Sequence, residues 1–116
     1  MDEVRIWHNP RCSKSRETLA LLRGRGIDPV VVEYLRTPPT GAEIDEALTL
    51  LGLAPRDLLR KKEKAYEDLG LADRSLSDTA LVKAMADHPV LIERPIVFAG
   101  GKAALGRPPE AVLAVL

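Results

Sequence analysis

An α/β domain built on a mixed β-sheet is predicted for this chain, and three observations predict it. Two short apolar runs, VRIW at 4–7 and the β-branched VVVEYL that Pro29 opens, flank a helical segment near the N-terminus. Near the C-terminus, PIVFA and KAALG stand on either side of Gly100-Gly101, a two-residue signature of a β-hairpin. Between these halves the apolar residues recur at helical spacing. The 116 residues fit one domain, 1–116, with a helical insertion at about 40–88.

Val4-Arg5-Ile6-Trp7 alternates as a first strand does, and the turn HNPRCSK follows it. From Ser15 the pattern is helical, with Leu19, Ala20 and Leu22 able to share a face, and Gly24 and Gly26 mark the end. The unbroken VVVEYL suggests a strand buried on both sides. A helix between two strands favours parallel pairing with a right-handed crossover. In TPPTGAEID, Thr40 is an N-cap with Glu43 as its capping-box partner, and Ile44, Ala47, Leu48 and Leu51 follow at helical spacing until Gly52. Pro55 opens a short helical piece, RDLLRKKEKAYEDLG. Ser77 caps a further helix carrying Leu81, Val82 and Met85, which ends before Pro89. After the hairpin, Pro108 and Pro109 suit the first turn of a last helix, EAVLAVL. The order β-α-β, helices, β-β-α is that of the thioredoxin fold, in which a reactive cysteine sits between the first strand and the first helix. Cys12 is in that place.

Composition narrows the function classes. Lys plus Arg (17) balance Asp plus Glu (17), so the basic surface of a general nucleic-acid binder is not expected. No stretch approaches the roughly 20 apolar residues of a membrane span, and MDEVRIW carries acids where a signal peptide would be apolar, so a cytoplasmic, monomeric protein is expected. One cysteine and two histidines, His8 and His88, make a zinc site improbable and an internal disulfide impossible, and no tightly bound cofactor or metal is expected.

HNPRCSKSR, residues 8–16, is where the chemistry concentrates. A helix N-terminus offers free N–H groups and partial positive charge, which favour a thiolate and can also hold a phosphate-like anion. Arg11, Lys14 and Arg16 lie close to Cys12 in sequence and add to that effect. A free cysteine is often a small buried apolar residue. The charged and hydrogen-bonding neighbours here favour a reactive thiol instead. Position 15 is Ser, so a C-x-x-C dithiol cycle is excluded, and the C-x5-R loop of thiol phosphatases is absent because the arginine comes at 16. Any disulfide must involve an external thiol.

The chain resembles the glutaredoxin-coupled arsenate reductase family, whose fold is thioredoxin-like. The resemblance rests on HNPRCSKSRETL, EYLRTPPT, LLRKKEKAYEDLGL, ERPIV and GRPPE, spread from Val4 to the C-terminus. It implies Cys12 as nucleophile, and Arg60, Arg94 and Arg107 as the arginines around the oxyanion. His8, Ser15 and Arg16 match residues that shape the turn and lower the thiol pKa, and Pro95 matches the family's cis-proline. The implied activity is reduction of arsenate to arsenite with glutathione as co-substrate and glutaredoxin as partner. Arginine suits the anion's oxygens, and such a cycle needs only one cysteine. Arg11 before Cys12, and Ser13-Lys14 after it, are similar to the family's arsenate reductase-like subgroup. Another oxyanion or a glutathionylated substrate is the alternative reading for the same thiol. The fold also serves regulators that bind RNA polymerase, but these usually carry C-x-x-C at this turn.

Read without the resemblance, Arg60 lies in the charge run RKKEK, where Lys61, Lys62 and Lys64 read as a solvated face. Arg94 and Arg107, each before a proline, would alone read as surface residues. Asn9 and Pro10 set turn geometry, Trp7 and Tyr34 read as packing residues, and His88 as a helix C-cap.

Overall fold

The computed structural model describes residues 3–116. Four strands, β1 (Arg5–Trp7), β2 (Val30–Val32), β3 (Ile96–Ala99) and β4 (Lys102–Leu105), form one mixed sheet in the order β2-β1-β3-β4. β1 and β2 run parallel with Ile6 opposite Val31, while β1–β3 and β3–β4 are antiparallel, with Ile6 opposite Val97 and Val97 opposite Ala104. Gly100 and Gly101 make the hairpin turn at φ 56° and 74°, the left-handed region that this turn requires at both positions. The topology is the thioredoxin-like α/β order.

The chain forms two compact units. The first joins the chain up to Thr37 to Arg94–Leu116, and the second is Pro38–Glu93.

The core of the first unit gathers Ile6, Leu22, Val97 and Val112, all without solvent exposure, with Leu19, Ile27, Ala104 and Val115 packed at its margin. Alternation along β1 sends Trp7 to the opposite face from Ile6, and its ring lies 5.1 Å from that of Phe98. Helix α1 (Ser13–Gly24) buries Ser15, Thr18 and Leu22, not Ala20, which is exposed. Its inward face is therefore polar near its start and apolar only toward its end. The expectation for VVVEYL fails in an instructive way. β2 is three residues long and occupies the sheet edge, so Val30 and Val31 remain 42% and 36% exposed. Glu33 then starts a turn, its carbonyl accepting from the N–H groups of Arg36 and Thr37. The last segment also differs. Pro109–Val115 is a 3₁₀ helix, whose period of three stacks Val112 over Val115 in one narrow apolar stripe.

In the second unit, α2 (Gly41–Leu51) and α5 (Asp78–Asp87) pack together and bury Ile44, Ala47 and Leu48, and Leu81, Val82 and Met85. Both caps fall as the sequence predicts. Thr40 Oγ1 accepts from the Glu43 N–H at 3.1 Å while the Glu43 carboxylate accepts from the Thr40 N–H at 3.0 Å, and Ser77 Oγ accepts from the Ala80 N–H. RDLLRKKEKAYEDLG is not one helical piece. It gives α3 (Pro55–Leu58) and α4 (Lys64–Asp68), interrupted where Leu59 bridges Ile92 and the Arg60 N–H donates to the Leu91 carbonyl. Leu58 and Leu59 are both buried, and the backbone turns extended at Leu59, φ −76° and ψ 135°, which ends α3. Arg56 ties α3 to the following loop through the carbonyls of Leu71 and Asp73. A 3₁₀ turn at Pro89–Leu91 follows α5. Among the described residues, no helix is long and apolar enough to cross a membrane.

Candidate active site

The turn between β1 and α1 is built by its own polar groups. The Cys12 N–H donates to the Asn9 carbonyl at 3.0 Å, and Asn9 Oδ1 accepts from the Arg11 N–H at 3.0 Å, closing an Asx turn over Pro10. The Asn9 N–H points at Ser15 Oγ, 3.4 Å away, inside the protein. Arg16 reaches back to the Pro10 carbonyl at 3.1 Å. Cys12 is thereby held as the N-cap residue of α1, in extended conformation, with the first free N–H groups of the helix beyond it.

The thiol is buried, and burial alone, the largest single influence, pushes it up. Opposing this are the Ser15 N–H, the Arg94 guanidinium, the Lys14 N–H and the Ser15 hydroxyl, all of which favour the thiolate. Together they bring Cys12 down from 9.0 to about 7. Arg107 adds geometry. Its Nη2 stands 3.9 Å from Cys12 Sγ while its Nε donates to the Arg94 carbonyl at 2.8 Å. The two arginines therefore come from one small structure. The Gly106 N–H donates to the Pro95 carbonyl at 2.9 Å, and the Arg94–Pro95 bond is cis. The Arg107–Pro108 bond is also cis, which the sequence reading did not foresee.

His8 is 5% exposed, and its N–H continues the β1–β2 ladder to the Val32 carbonyl. Burial lowers its pKa foremost, Glu33 raises it, and Arg23 and Arg16 lower it, so the imidazole is held neutral at pH 7. Neutral His8 is a wall of the turn, not a charge beside the thiol.

Of the residues singled out in the sequence, the structure thus brings Cys12, Asn9, Ser15, Arg94 and Arg107 together, with His8 and Arg16 supporting the turn. Arg60 lies in the second unit and has partners there. Its Nε is 3.1 Å from a Glu63 carboxylate oxygen and its Nη1 is 2.7 Å from one of Glu93. Lys61, Lys62 and Lys64 are exposed, and so is His88, which follows α5. Trp7 and Tyr34 are buried packing residues.

Two residues of the site went unread in the sequence. Thr18 is fully buried, its hydroxyl donating to the Lys14 carbonyl at 2.8 Å. Gly106 lies so close to it that an added Cβ would stand 2.5 Å from Thr18 Oγ1 and 2.7 Å from Pro95 Cγ. The glycine before Arg107 was the available signal, since a glycine often marks a close backbone approach. Among the described residues no group of three or more His, Cys, Asp or Glu side chains is placed to hold a metal ion.

A thiol poised near neutrality at the start of the first helix, on a mixed sheet of this order, places the molecule among thioredoxin-like thiol proteins, and the arginines around the sulfur narrow it further. The chain belongs to the ArsC family, whose model matches residues 7–115. It is 54% identical over 117 residues to the arsenate reductase of Neisseria meningitidis serogroup A, covering 100% of each chain. It is 56% identical over 115 residues to a protein of Escherichia coli K12 named uncharacterized protein YfgD, covering 98% of this chain and 97% of that one. Among solved structures it is similar to the arsenate reductase from Vibrio cholerae, with a TM-score of 0.97 and 54% identity, covering 99% of this chain and 98% of that one.

Proposed function

We propose that the protein reduces arsenate to arsenite, with glutathione as co-substrate and glutaredoxin as partner. The observation that carries this reading is the Cys12 thiol, lowered to about 7 and bonded by Arg94, with Arg107 3.9 Å away. A thiolate attacking an anion needs the mutual repulsion offset, and guanidinium groups beside the sulfur supply both the offset and donors for the oxygens. The names of the relatives support arsenate as that anion.

The cycle runs in balanced steps. The Cys12 thiolate attacks arsenic and one arsenate oxygen leaves as water, giving a Cys12–S–As(V) adduct without change of oxidation state. Glutathione thiolate attacks the Cys12 sulfur. A disulfide forms, the S–As bond breaks, and its electron pair stays on arsenic, which leaves as arsenite, As(III). A glutaredoxin thiolate then attacks the glutathione sulfur and frees the Cys12 thiolate. In this reading Arg94 and Arg107 hold the oxyanion, with Arg60 as the third arginine. Ser15, with the Lys14 N–H, keeps the sulfur ionised as attacking and then leaving group.

The test is a coupled assay with glutathione, glutaredoxin, glutathione reductase and NADPH, with and without arsenate. Arsenate-dependent NADPH loss that disappears in Cys12→Ser is expected. Its absence, while an active reductase works in parallel, would transfer the thiol to another oxyanion or to glutathionylated substrates.

A further inference from the structure

Arg94 and Arg107 approach the Cys12 sulfur through the β3–β4 half of the sheet. A recess of about 450 Å³ opens beside the same turn, between residues 8–11 and 33–36. Its walls include His8, Asn9, Arg11, Glu33, Leu35 and Arg36. It lies beyond the carboxyl ends of the adjacent parallel strands β1 and β2, where α/β sheets hold small ligands. Its size is that of a small-molecule site.

The charges of this recess are arranged for a ligand more than for the fold. Arg11 and Arg36 are exposed, Glu33 is half-buried, and none of the three side chains forms an ion pair among the described residues. His8 contributes a buried wall whose Nδ1 has no hydrogen-bond partner among the described residues. Because burial keeps that imidazole neutral, the recess presents two cations and one anion. Leu35, 39% exposed, adds an apolar surface. Glutathione at neutral pH carries the complementary set, two carboxylates and one ammonium group, around a thiol. Arg11 is the chain neighbour of Cys12, and the Cys12 N–H is bonded to the Asn9 carbonyl, so a ligand seated here lies against the turn that carries the nucleophile.

We propose that the recess between the β1–α1 turn and the segment after β2 is the glutathione subsite, with Arg11 and Arg36 on the two carboxylates and Glu33 on the ammonium group. This rests on the reading of Cys12 as a thiol that exchanges with glutathione. It gives the two co-substrates separate arginines. The oxyanion takes Arg94 and Arg107, and the reductant takes Arg11 and Arg36.

The experiment leaves arsenate out. Reduced protein is mixed with glutathione disulfide or with bis(2-hydroxyethyl) disulfide, which has no charges, and Cys12 modification is followed by intact mass. In each case the Cys12 thiolate attacks one sulfur, the S–S bond breaks, and the other half leaves as thiolate. Rates are divided by the rate of iodoacetamide alkylation, which removes any change in thiolate fraction. The wild-type protein is expected to prefer glutathione disulfide, and Arg36→Glu to reduce that preference about tenfold or more, as loss of a charged contact does. Esterifying the carboxylates of glutathione disulfide should reduce the wild-type rate similarly, which tests the subsite without any variant. A preference unchanged by either the substitution or the esterification overturns the subsite. The outcome is separable from arsenate turnover. Preference without arsenate-dependent NADPH loss keeps the subsite and removes the function proposed above, and the reverse keeps that function and removes the subsite.

Discussion

The two units of the chain bury different kinds of side chain. In the first, His8, Asn9, Ser15 and Thr18 are all under 9% exposed, and every one lies in the β1–α1 turn or on the helix it starts. In the second, the buried side chains are those of Ile44, Ala47, Leu58, Leu81, Met85 and their apolar neighbours, while its polar capping side chains, Thr40, Glu43 and Ser77, are exposed. Burying a polar group costs free energy unless it is bonded. A fold spends that cost where it needs a group held still. The difference teaches that polar residues shape a sulfur's surroundings in one unit and punctuate helices in the other.

The largest expected effect is that of Gly106→Ala, measured against a glycine of the other unit. Gly106→Ala forces a methyl group against Thr18 and Pro95, and should cost about 3 kcal/mol and loosen Arg107, the next residue. Gly52→Ala, at φ +67° with open space around the added Cβ, should cost about 1 kcal/mol, the price of the left-handed backbone alone. Urea unfolding measures both. Equal losses, with the Cys12 titration unmoved in Gly106→Ala, would erase the contrast between a glycine required by a site and one required by a helix end.

A smaller effect sits at Cys12. Its folded pKa lies below its ordinary value, so ionisation stabilises the fold above pH 9, and that contribution is lost as pH falls through about 7. A separation of this size corresponds to roughly 2–3 kcal/mol. The stability of wild type relative to Cys12→Ser should therefore rise between pH 7 and 9. Iodoacetamide alkylation should show a midpoint near 7, and Ser15→Ala should move it upward, because both a hydroxyl donor and the order of the turn are lost. A midpoint that stays put in Ser15→Ala would mean that the buried hydroxyl serves packing only.

The same contrast explains what could be read in the sequence. Thr40 and Glu43, and Ser77 before its apolar spacing, act over one helical turn, so local pattern sufficed for the second unit's main helices. RDLLRKKEKAYEDLG misled because Leu58, Leu59 and Arg60 answer to Glu93, Ile92 and Leu91, far along the chain. VVVEYL misled because an edge strand and a central one share a composition, and only the sheet order decides. At the site, Cys12 and its turn were legible from the polar neighbours and the helix start. Arg94 and Arg107 were not, since a lone arginine before proline carries no sign of the sulfur it approaches. Resemblance singled them out, and the fold supplies the geometry. Thr18 carried no signal of its own, and its burial goes with the closeness of Gly106.

The smallest expected effect tests the other half of the comparison. Thr40 Oγ1 satisfies one of the free N–H groups at the start of α2, and Glu43 returns the bond. Thr40→Ala should cost about 1 kcal/mol by letting the first turn fray. Glu43→Ala on top of it should add little, because the reciprocal bond is a single device whose halves are not additive. Neither change touches a group that acts on the Cys12 sulfur, so the alkylation midpoint should stay near that of wild type while the urea midpoint falls. A shifted alkylation midpoint in Thr40→Ala would show that the start of α2 reaches the thiol by a route the caps do not reveal, and the assignment of exposed polar pairs to structure and buried ones to chemistry would no longer hold.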